Sequence, residues 1–239
     1  MSATAPTADA LTSELTGLSA PDRIRLLRDR FEGRLAASTS FGIQSAVMLD
    51  LLSKHAPDVP VVFIDTGYLF PETYRYAEEL VKRFGTDLRV YQPQMSAARM
   101  EAVHGRLWEE GGEGLERYGL LTKVEPMARA LSELGAEVWL SGLRRSQSST
   151  RADRPFAESQ KRTLKVYPIL DWADAQVSAY MHDHDLPPHP LASQGYVTMG
   201  DWHSTRPADP EQSAEATRFN GEKYECGLHL DSGNNDFQI

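Results

Sequence analysis

The stretch "RLAASTSFGIQSAVMLDLLSKH" (residues 34–55) indicates the class of fold. Its first part, 34–39, has the composition of a short strand, and "IQSAVMLDLLSKH" (43–55) has the apolar spacing of a helix. The segment "STSFGIQS" (38–45) links the two, so a strand runs through a serine-rich turn into a helix. Such a unit is typical of a parallel sheet, whose successive strands are joined by helical crossovers.

The same alternation of short apolar runs and helical patterns continues along the chain. Further strands are predicted at "VVFI" (61–64), "DLRVYQ" (87–92), "EVWLSG" (137–142) and "TLKVYPI" (163–169). Further helices are predicted at 71–85, 124–135 and 173–184. We therefore expect an α/β fold, with a parallel sheet that carries helices on both faces.

The composition changes at both ends of this pattern. Residues 8–31 read as helical and precede the first strand, whereas from about Leu186 onward the chain is rich in Pro, Gly, His and Asp and has little periodicity. The sequence thus predicts an N-terminal helical segment (1–33), an α/β domain (34–185), and an irregular C-terminal arm and tail (186–239).

Charge and cysteine content exclude several classes of function. The net charge of −9 argues against binding to nucleic acid or to an anionic membrane. The sequence has no apolar run long enough to span a membrane and lacks the features of a signal peptide, so we expect a cytoplasmic protein. Cys226 is the single cysteine of the 239 residues, so the chain by itself forms no disulfide and no four-cysteine metal site.

Ligands of open parallel sheets bind beyond the carboxyl ends of the strands, so the loops there carry the candidate sites. The first loop offers backbone N–H groups at a helix start, hydroxyls, and a glycine that permits close approach of an anion. These are the parts of a phosphate cradle, although an ordinary capped turn has the same composition. Its candidate residues are Ser38, Thr39, Ser40, Gly42 and Ser45.

Two more loops are rich in polar residues. "GLRRSQSSTRADR" (142–154) places several arginines directly after a predicted strand, which favours an anion site over a solvated basic face. "KRTLK" (161–165) adds further cations. "FIDTGYLFPET" (63–73) places Asp65 at a strand end, where it either orients a ribose hydroxyl or caps the turn. Together the loops predict a cleft for a nucleotide. No metal site is expected, because the histidines lack the spacing of a metal motif.

Seven segments, taken together, resemble the 3′-phosphoadenylyl sulfate (PAPS) reductase family of assimilatory sulfate reduction. They are "SFGIQSAVMLD", "DTGYLFPETY", "KVEPM", "GLRRSQSSTR", "YPILDW", "GDWHSTR" and "ECGLH", and they span roughly residues 30–230. The resemblance implies the adenine nucleotide α-hydrolase-like (PP-loop) fold. It further implies that Ser38, Ser40, Gly42, Gln44 and Ser45 line a cradle for the phosphosulfate. The other residues that it implies as substrate contacts are Asp65, Thr66, Gly67, Lys123, Arg144, Arg145, Gln147, Arg151 and Arg206.

The family has a branch that acts on adenylyl sulfate (APS) and usually carries a 4Fe–4S cluster. The positions that match its cysteine ligands hold Tyr118, Gly119, Asp201 and Ser204 here. The resemblance is therefore to the cluster-free branch, which generally uses PAPS, with no bound cofactor. The loop also lacks the double glycine and aspartate of ATP-cleaving relatives, which lowers the expectation of an ATP-dependent enzyme.

The resemblance implies that Cys226 attacks the sulfate sulfur of PAPS and that His229 assists as a proton or orientation partner. Since the chain has no second thiol, reduced thioredoxin, or alternatively glutaredoxin, must release sulfite as a co-substrate. The family also suggests a homodimer. The alternatives are a cluster-free APS reductase, an ATP-binding PP-loop enzyme, and a non-catalytic nucleotide-binding protein, and the last leaves "ECGLH" (225–229) unexplained.

Overall fold

The computed structural model describes residues 6–208 and Thr217. Cys226 and His229 lie outside the described residues, as does most of the predicted tail. The predictions made for these two residues are therefore carried by the sequence alone.

Six strands form one sheet in the order β3-β2-β1-β4-β6-β5. All neighbouring pairs are parallel except β5 and β6, which form an antiparallel hairpin at one edge. The strands are β1 (Leu35–Thr39), β2 (Val61–Ile64), β3 (Leu88–Tyr91), β4 (Val138–Ser141), β5 (Ala157–Gln160) and β6 (Thr163–Val166).

The helices of the described residues are α1 (Ala8–Leu15), α2 (Ala20–Arg30), α3 (Ser45–His55), α4 (Pro71–Phe84), α5 (Ala97–His104), α6 (Gly111–Gly119), α7 (Glu125–Glu133) and α8 (Asp174–Asp183). Helices α3 to α7 connect the parallel strands β1, β2, β3 and β4, whereas α1 and α2 precede β1 and α8 follows β6. A π-helical turn, Leu120–Val124, joins α6 directly to α7. Among the described residues of the arm, regular structure is limited to the 3-10 turns Pro190–Gln194 and Trp202–Ser204.

Both faces of the sheet are covered, as predicted. One face packs into the main core with residues from α1, α2, α3, α4 and α8. On the other face, Ala36, Val62 and Trp139 pack against Met127 and Leu131 of α7 in a smaller core. The apolar residues of β1, β2 and β4 alternate between these two cores, which explains why these strands read as continuous apolar runs.

The N-terminal helices belong to the same core as the sheet. Leu11 and Leu15 of α1 and Ile24 and Leu27 of α2 are each fully buried in it. Ser19 caps α2, because its hydroxyl accepts a hydrogen bond from the backbone N–H of Asp22. The division of the chain at residue 33 is therefore a change of pattern along the sequence, with no break in the packing.

The antiparallel strand β5 is absent from the sequence prediction. Its four residues, Ala157–Gln160, are mostly polar and lie at the sheet edge, so they carry neither the apolar run of a buried strand nor a clear alternation. Helices α5 and α6 are also short and were not predicted. Within the described part of the chain, no helix has the length and apolar character that crossing a membrane requires.

Candidate active site

The strand order places a topological switch point between β1 and β4. The chain leaves β1 toward β2 on one side, and it later returns to β4 on the other side. Crossovers on opposite sides leave a crevice at the carboxyl ends of these two strands, where ligands of such sheets bind. The loops after β1 and β4 therefore lie side by side, as the sequence predicted.

The turn from β1 to α3 holds a strained residue. Phe41 has a φ of 47°, the left-handed region that costs a non-glycine residue about 1–2 kcal/mol. Its ring is fully buried and packs edge-on against Phe63, with 4.9 Å between ring centroids. The buried ring thus holds the backbone of the turn in a conformation that an exposed residue would leave.

Gly42 follows Phe41 with an ordinary φ, so its backbone conformation does not require glycine. Among the described residues, a Cβ at this position would meet only the Ser40 hydroxyl oxygen, at 3.5 Å, which is normal contact. The packing of the described part of the chain therefore leaves the space beside Gly42 open. Open space next to a helix start is what a cradle for a bound anion requires.

The start of α3 is arranged by its own first residues. The Ser45 hydroxyl donates to the Gly42 carbonyl at 2.9 Å, while Gln44 occupies the N-cap position without capping the helix through its side chain. The Gln44 side-chain oxygen instead accepts a hydrogen bond from Arg144. Because Arg144 belongs to the loop after β4, this bond joins the two loops across the switch point.

Arg144 is a buried cation of the cleft, with only 3% of its surface exposed. Besides Gln44, its guanidinium contacts Asp174 at 2.6 Å, Ser146 at 2.9 Å and the Trp172 carbonyl at 3.3 Å. The Asp174 side chain is 69% exposed, so the ion pair opens to solvent on its acidic side. Hence the guanidinium is fixed by the protein, while its acidic partner remains in water.

The neighbouring residues of the arginine loop support one another. The Gln147 side-chain oxygen accepts from the Arg144 backbone N–H at 3.0 Å and from the Arg151 guanidinium at 2.7 Å. Arg151 is itself 9% exposed. These bonds bring Arg144, Gln147 and Arg151 into one cluster beside β4.

Arg145 lies in a different environment. Its guanidinium donates twice to the Arg154 carbonyl, at 3.1 and 2.7 Å, and stands 5.4 Å from the centre of the Phe156 ring. Arg23, from α2, stacks on the same ring at 3.9 Å. In this structure Arg145 therefore joins the packing around Phe156, and the phosphate contact expected of it stays a prediction.

Lys161 and Arg162 are not brought to the cleft. They form the turn between β5 and β6, and β6 begins at Thr163 beside the first residues of β4. Since β4 and β6 are parallel, this turn lies at the amino-end edge, opposite the cleft. Counting the two residues with the anion loop was wrong, because the sequence gave no sign of strand β5 and hence of the hairpin. Lys165, within β6, is 2% exposed.

Asp65 organises the turn after β2. One carboxylate oxygen accepts from the Gly67 backbone N–H at 2.9 Å and from the Tyr74 hydroxyl at 2.6 Å, and the other accepts from Gln92 at 2.8 Å. Burial and this hydrogen bond raise the pKa of Tyr74 above its ordinary value. Of the two roles left open by the sequence, the structure shows the turn cap.

Thr66 and Lys123 meet at a buried acid, Asp201, which is 1% exposed. The Thr66 hydroxyl donates to one Asp201 oxygen at 2.5 Å, and the Lys123 ammonium contacts the other at 2.6 Å. Burial by itself would raise the pKa of Asp201, but the charge of Lys123 and these hydrogen bonds hold it below its usual range. The substrate contact expected of Lys123 stays a prediction.

The Asp201 contacts fasten the C-terminal arm to the domain. Asp201 forms a bridge with Leu69, and the Trp202 backbone N–H donates to the Tyr68 carbonyl at 2.8 Å. Arg206 follows this anchored segment. It is exposed, and its backbone N–H donates to the Thr217 carbonyl at 3.2 Å.

An aromatic cluster surrounds this anchor. His203 stacks on Trp108 with 3.9 Å between ring centroids, and its Nε2 lies 3.1 Å from the Tyr118 hydroxyl. Burial, and then the charge of Asp201, raise the pKa of Tyr118. Tyr118, Asp201 and Ser204, which match cysteine ligands of the cluster-bearing branch, thus lie in one region of the fold. In residues 6–208, no three His, Cys, Asp or Glu side chains are grouped as metal ligands.

Two residues at the cleft were missed by sequence reasoning. Trp139 of β4 donates from its indole N–H to the Ser38 hydroxyl oxygen at 2.7 Å. Ser141, the last residue of β4, is the register partner of Ser38 on β1. Its position at a strand end is the one signal that could have identified Ser141, whereas Trp139 read only as core.

Comparisons with known proteins identify a family to which the chain is similar. The family described as "Phosphoadenosine phosphosulfate reductase domain" matches residues 34–207. A relative from Xanthomonas axonopodis pv. citri, named phosphoadenosine 5′-phosphosulfate reductase, is 52% identical over 223 residues, covering 93% of this chain and 92% of its own. A relative of the same name from Alkalilimnicola ehrlichii is 51% identical over 221 residues, covering 92% and 90%.

Solved structures give the same result for the fold. The crystal structure of PAPS reductase from Candida auris, a phosphate complex, matches with a TM-score of 0.74 and 32% identity, covering 85% of this chain and 100% of the other. FMN adenylyltransferase from Candida glabrata matches with a TM-score of 0.58 and 15% identity, covering 85% and 74%, which shows a shared fold alone. The family match over residues 34–207 and the identity along nearly the whole chain lead to one conclusion: this chain belongs to the phosphoadenosine phosphosulfate reductase family.

Proposed function

We propose that this chain is a PAPS reductase, in which the cleft between β1 and β4 binds the nucleotide and Cys226 receives its sulfo group. The observation that carries the proposal is Arg144, a buried guanidinium that bonds to Gln44 across the switch point. A fixed guanidinium beside an open helix start suits a phosphosulfate anion, because planar arginine donors match its oxygen atoms.

Different residues of the cleft bind different parts of the nucleotide. The backbone around Gly42 and the free end of α3 present N–H groups to the anion, and the Ser38 and Ser40 hydroxyls donate further hydrogen bonds. Arg144 and Arg151, with Gln147 between them, neutralise the phosphate charges, including the 3′-phosphate. Asp65, Thr66 and Gly67 border the adenosine, and Asp65 acts there by shaping the turn.

The first chemical step transfers the sulfo group. The Cys226 thiolate attacks the sulfate sulfur of PAPS, an S–S bond forms, and the bond between that sulfur and the bridging phosphate oxygen breaks. Adenosine 3′,5′-bisphosphate leaves with the electron pair of the broken bond, and the enzyme holds S-sulfocysteine. A free thiol is only a few per cent ionised at neutral pH, so cationic neighbours favour this step. The arginines of 144–151 and Lys123 are the candidate cations, and His229 serves as a partner in orientation or proton transfer.

The second step needs an external dithiol. A thiolate of reduced thioredoxin, or of glutaredoxin, attacks the Cys226 sulfur and displaces sulfite, which leaves with the electron pair of the S–S bond. The second thiol of the donor then attacks the mixed disulfide and frees Cys226, so the donor leaves oxidised. Arg206 follows the anchored part of the arm and precedes Cys226 in the sequence, and we propose that it contacts the substrate.

We propose that no iron–sulfur cluster takes part. The side chains at the positions of the cluster ligands are a phenol, a carboxylate and a hydroxyl, together with a glycine, and none of these is a thiolate. Within the fold, Asp201 instead forms an ion pair with Lys123. We further propose a cytoplasmic homodimer.

The test is the mass of the intact, reduced protein after mixing with PAPS or with APS in the absence of thioredoxin. A gain of one SO3 group with PAPS alone is the expected result, and peptide mapping should locate it on Cys226. Cys226→Ser is the matched control, because it keeps the size of the side chain and removes the nucleophile. A gain with APS as well would make the protein a permissive reductase.

Two results would contradict the sulfo-transfer mechanism. If the wild-type protein binds PAPS tightly but gains no mass, or if Cys226→Ser reduces PAPS as fast as the wild type, the sulfo-transfer mechanism is wrong. Where the adduct does form, it is isolated and mixed with reduced thioredoxin, and the release of sulfite is measured. An adduct that survives excess reduced thioredoxin and glutaredoxin would contradict the second step alone.

A further inference from the structure

Trp139 links three adjacent strands beneath the cleft. It lies on β4 with 1% of its surface exposed, between Ala36 of β1 and Lys165 of β6 in the register of the sheet. Its indole N–H donates to the Ser38 hydroxyl oxygen at 2.7 Å. The Lys165 ammonium stands 4.1 Å from the centre of the indole ring.

The direction of the Trp139 hydrogen bond has a consequence for Ser38. An indole N–H donates only, so the Ser38 oxygen must accept, and the hydrogen of its own hydroxyl is left for another partner. Among the residues that the structure describes, none accepts that hydrogen. Ser38 is half-buried and lies one residue before the end of β1, beside the switch point.

Lys165 reinforces this arrangement. A cation over the face of an indole is attracted by the ring and draws electron density toward itself, which makes the ring N–H a better donor. The ammonium is 2% exposed, so water screens the contact little. A strong hydrogen bond from the indole N–H fixes the position of the Ser38 oxygen. It therefore restricts the directions in which the Ser38 hydroxyl can point its hydrogen.

Ser141 provides an internal comparison. It pairs with Ser38 in the register of β4 and β1, so the two hydroxyls lie side by side on one face of the sheet. Ser141 is 5% exposed, and Trp139 donates to Ser38 rather than to it. A residue that affects the cleft only through general packing would influence both serines equally.

We propose that Trp139, backed by Lys165, is a positioning residue that presents the Ser38 hydroxyl as a hydrogen-bond donor to the phosphosulfate of the bound nucleotide. The inference rests on the proposed function in so far as it takes PAPS as the ligand. Trp139 itself touches no substrate; it acts through Ser38.

The test is a double-mutant cycle on PAPS affinity, measured by calorimetry in a Cys226→Ser background so that no sulfo transfer consumes the ligand. Trp139→Phe keeps the aromatic ring and removes the N–H, and Ser38→Ala removes the donor. Each should weaken PAPS binding by about tenfold, the value of one hydrogen bond to an anion. The double variant should bind about as weakly as either single variant, because the two act through one bond.

Three controls make the cycle specific. In a Ser141→Ala background, Trp139→Phe should have its full effect, because that serine has no bond to the indole. Adenosine, which lacks the anion, should bind all variants equally. Lys165→Met, which leaves the indole N–H in place, should weaken PAPS binding by about twofold to threefold with Ser38 present and not at all with Ser38→Ala. Melting temperatures identify any variant that fails to fold. If Trp139→Phe fails to fold, the inference is tested by comparing Lys165→Met with Ser38 present and with Ser38→Ala.

Effects of Trp139→Phe and Ser38→Ala that multiply in full would overturn the inference, as would unchanged PAPS affinity in Trp139→Phe. If the Cys226→Ser protein binds PAPS and the wild-type protein gains the SO3 group, such a result overturns this inference alone. If the Cys226→Ser protein does not bind PAPS, the proposed function and the inference both fail.

Discussion

Two buried cations lie near the cleft, and the protein holds them in opposite ways. Lys123 pairs with Asp201, and the two side chains are 11% and 1% exposed. Arg144 pairs with Asp174, and here the exposures are 4% and 69%. The first pair is sealed from water on both sides, whereas the second has its acid in solvent.

This difference separates anchoring from binding. A sealed ion pair is costly to break from either side, because the remaining charge stays buried without a partner. Asp201 thereby fixes the arm to the domain. An ion pair with an exposed acid contributes little, because water and salt screen it, so a ligand anion can compete with Asp174 for Arg144 at small cost.

Removing the cation of the sealed pair should have the largest effect. In Lys123→Met, the Asp201 carboxylate stays buried without its counter-charge, and we expect the free energy of unfolding to fall by about 3–5 kcal/mol. Urea denaturation followed by circular dichroism measures it. Lys123→Met combined with Asp201→Asn should recover part of the loss, because no buried charge remains. A loss below about 1 kcal/mol in the single variant would mean that the pair is not sealed.

Acid should weaken the same pair, to a smaller extent in the accessible pH range. The folded-state pKa of Asp201 lies below its ordinary value of 3.8, so its contribution to stability is present above that value and is lost as pH falls below it toward the folded-state pKa. Between about pH 5 and about pH 3, wild-type stability should therefore fall more steeply than that of Asp201→Asn. Parallel curves in urea denaturation would contradict this assignment.

Changing the cation of the open pair should affect ligand more than fold. Arg144→Lys keeps the charge but loses the planar fork that bonds to Gln44 and Asp174 together, so PAPS affinity should fall by about tenfold. Calorimetry of the Cys226→Ser form measures it. Arg145→Lys is the matched control, because the Arg145 guanidinium bonds to the Arg154 carbonyl. Unchanged affinity in Arg144→Lys would show that the loop acts through its total charge, and equal losses in both variants would contradict the distinct role of Arg144.

Removing the exposed acid should have the smallest effect. In Asp174→Asn, the amide oxygen still accepts from Arg144, and we expect the free energy of unfolding to change by less than about 1 kcal/mol. PAPS affinity should stay the same or rise, since an anionic competitor is gone. A loss of affinity in calorimetry would mean that Asp174 positions Arg144 for the ligand.

Much of the fold follows from local patterns. The strand "VVFI" (61–64) and the helix from Pro71 to the left-handed Gly85 were predicted with their observed bounds, because a buried strand and a helix with proline and glycine at its ends have strong local signals. The short polar strand Ala157–Gln160 has no such signal. It exists because β6 offers it an edge to pair with, and that edge forms only on folding.

The site, too, has features that the local sequence predicts and features that it does not. That Gln44 and Arg144 lie near each other could be predicted, because both follow strands of a parallel sheet whose carboxyl ends meet. The acidic partner of each cation could not be predicted from the sequence. Lys123 and Asp201 are 78 residues apart, and nothing in the sequence around either one indicates an ion pair.

The sequence by itself determined the alternation of strands and helices, the residue types of the cleft loops and the single thiol, since these depend on composition and on neighbours along the chain. The tertiary structure alone decided which cations face the cleft and which are neutralised. It set Lys123 on Asp201, Arg145 beside Phe156 and Trp139 under Ser38. Burial and charge pairing depend on residues distant in sequence, and only the packed chain brings these together.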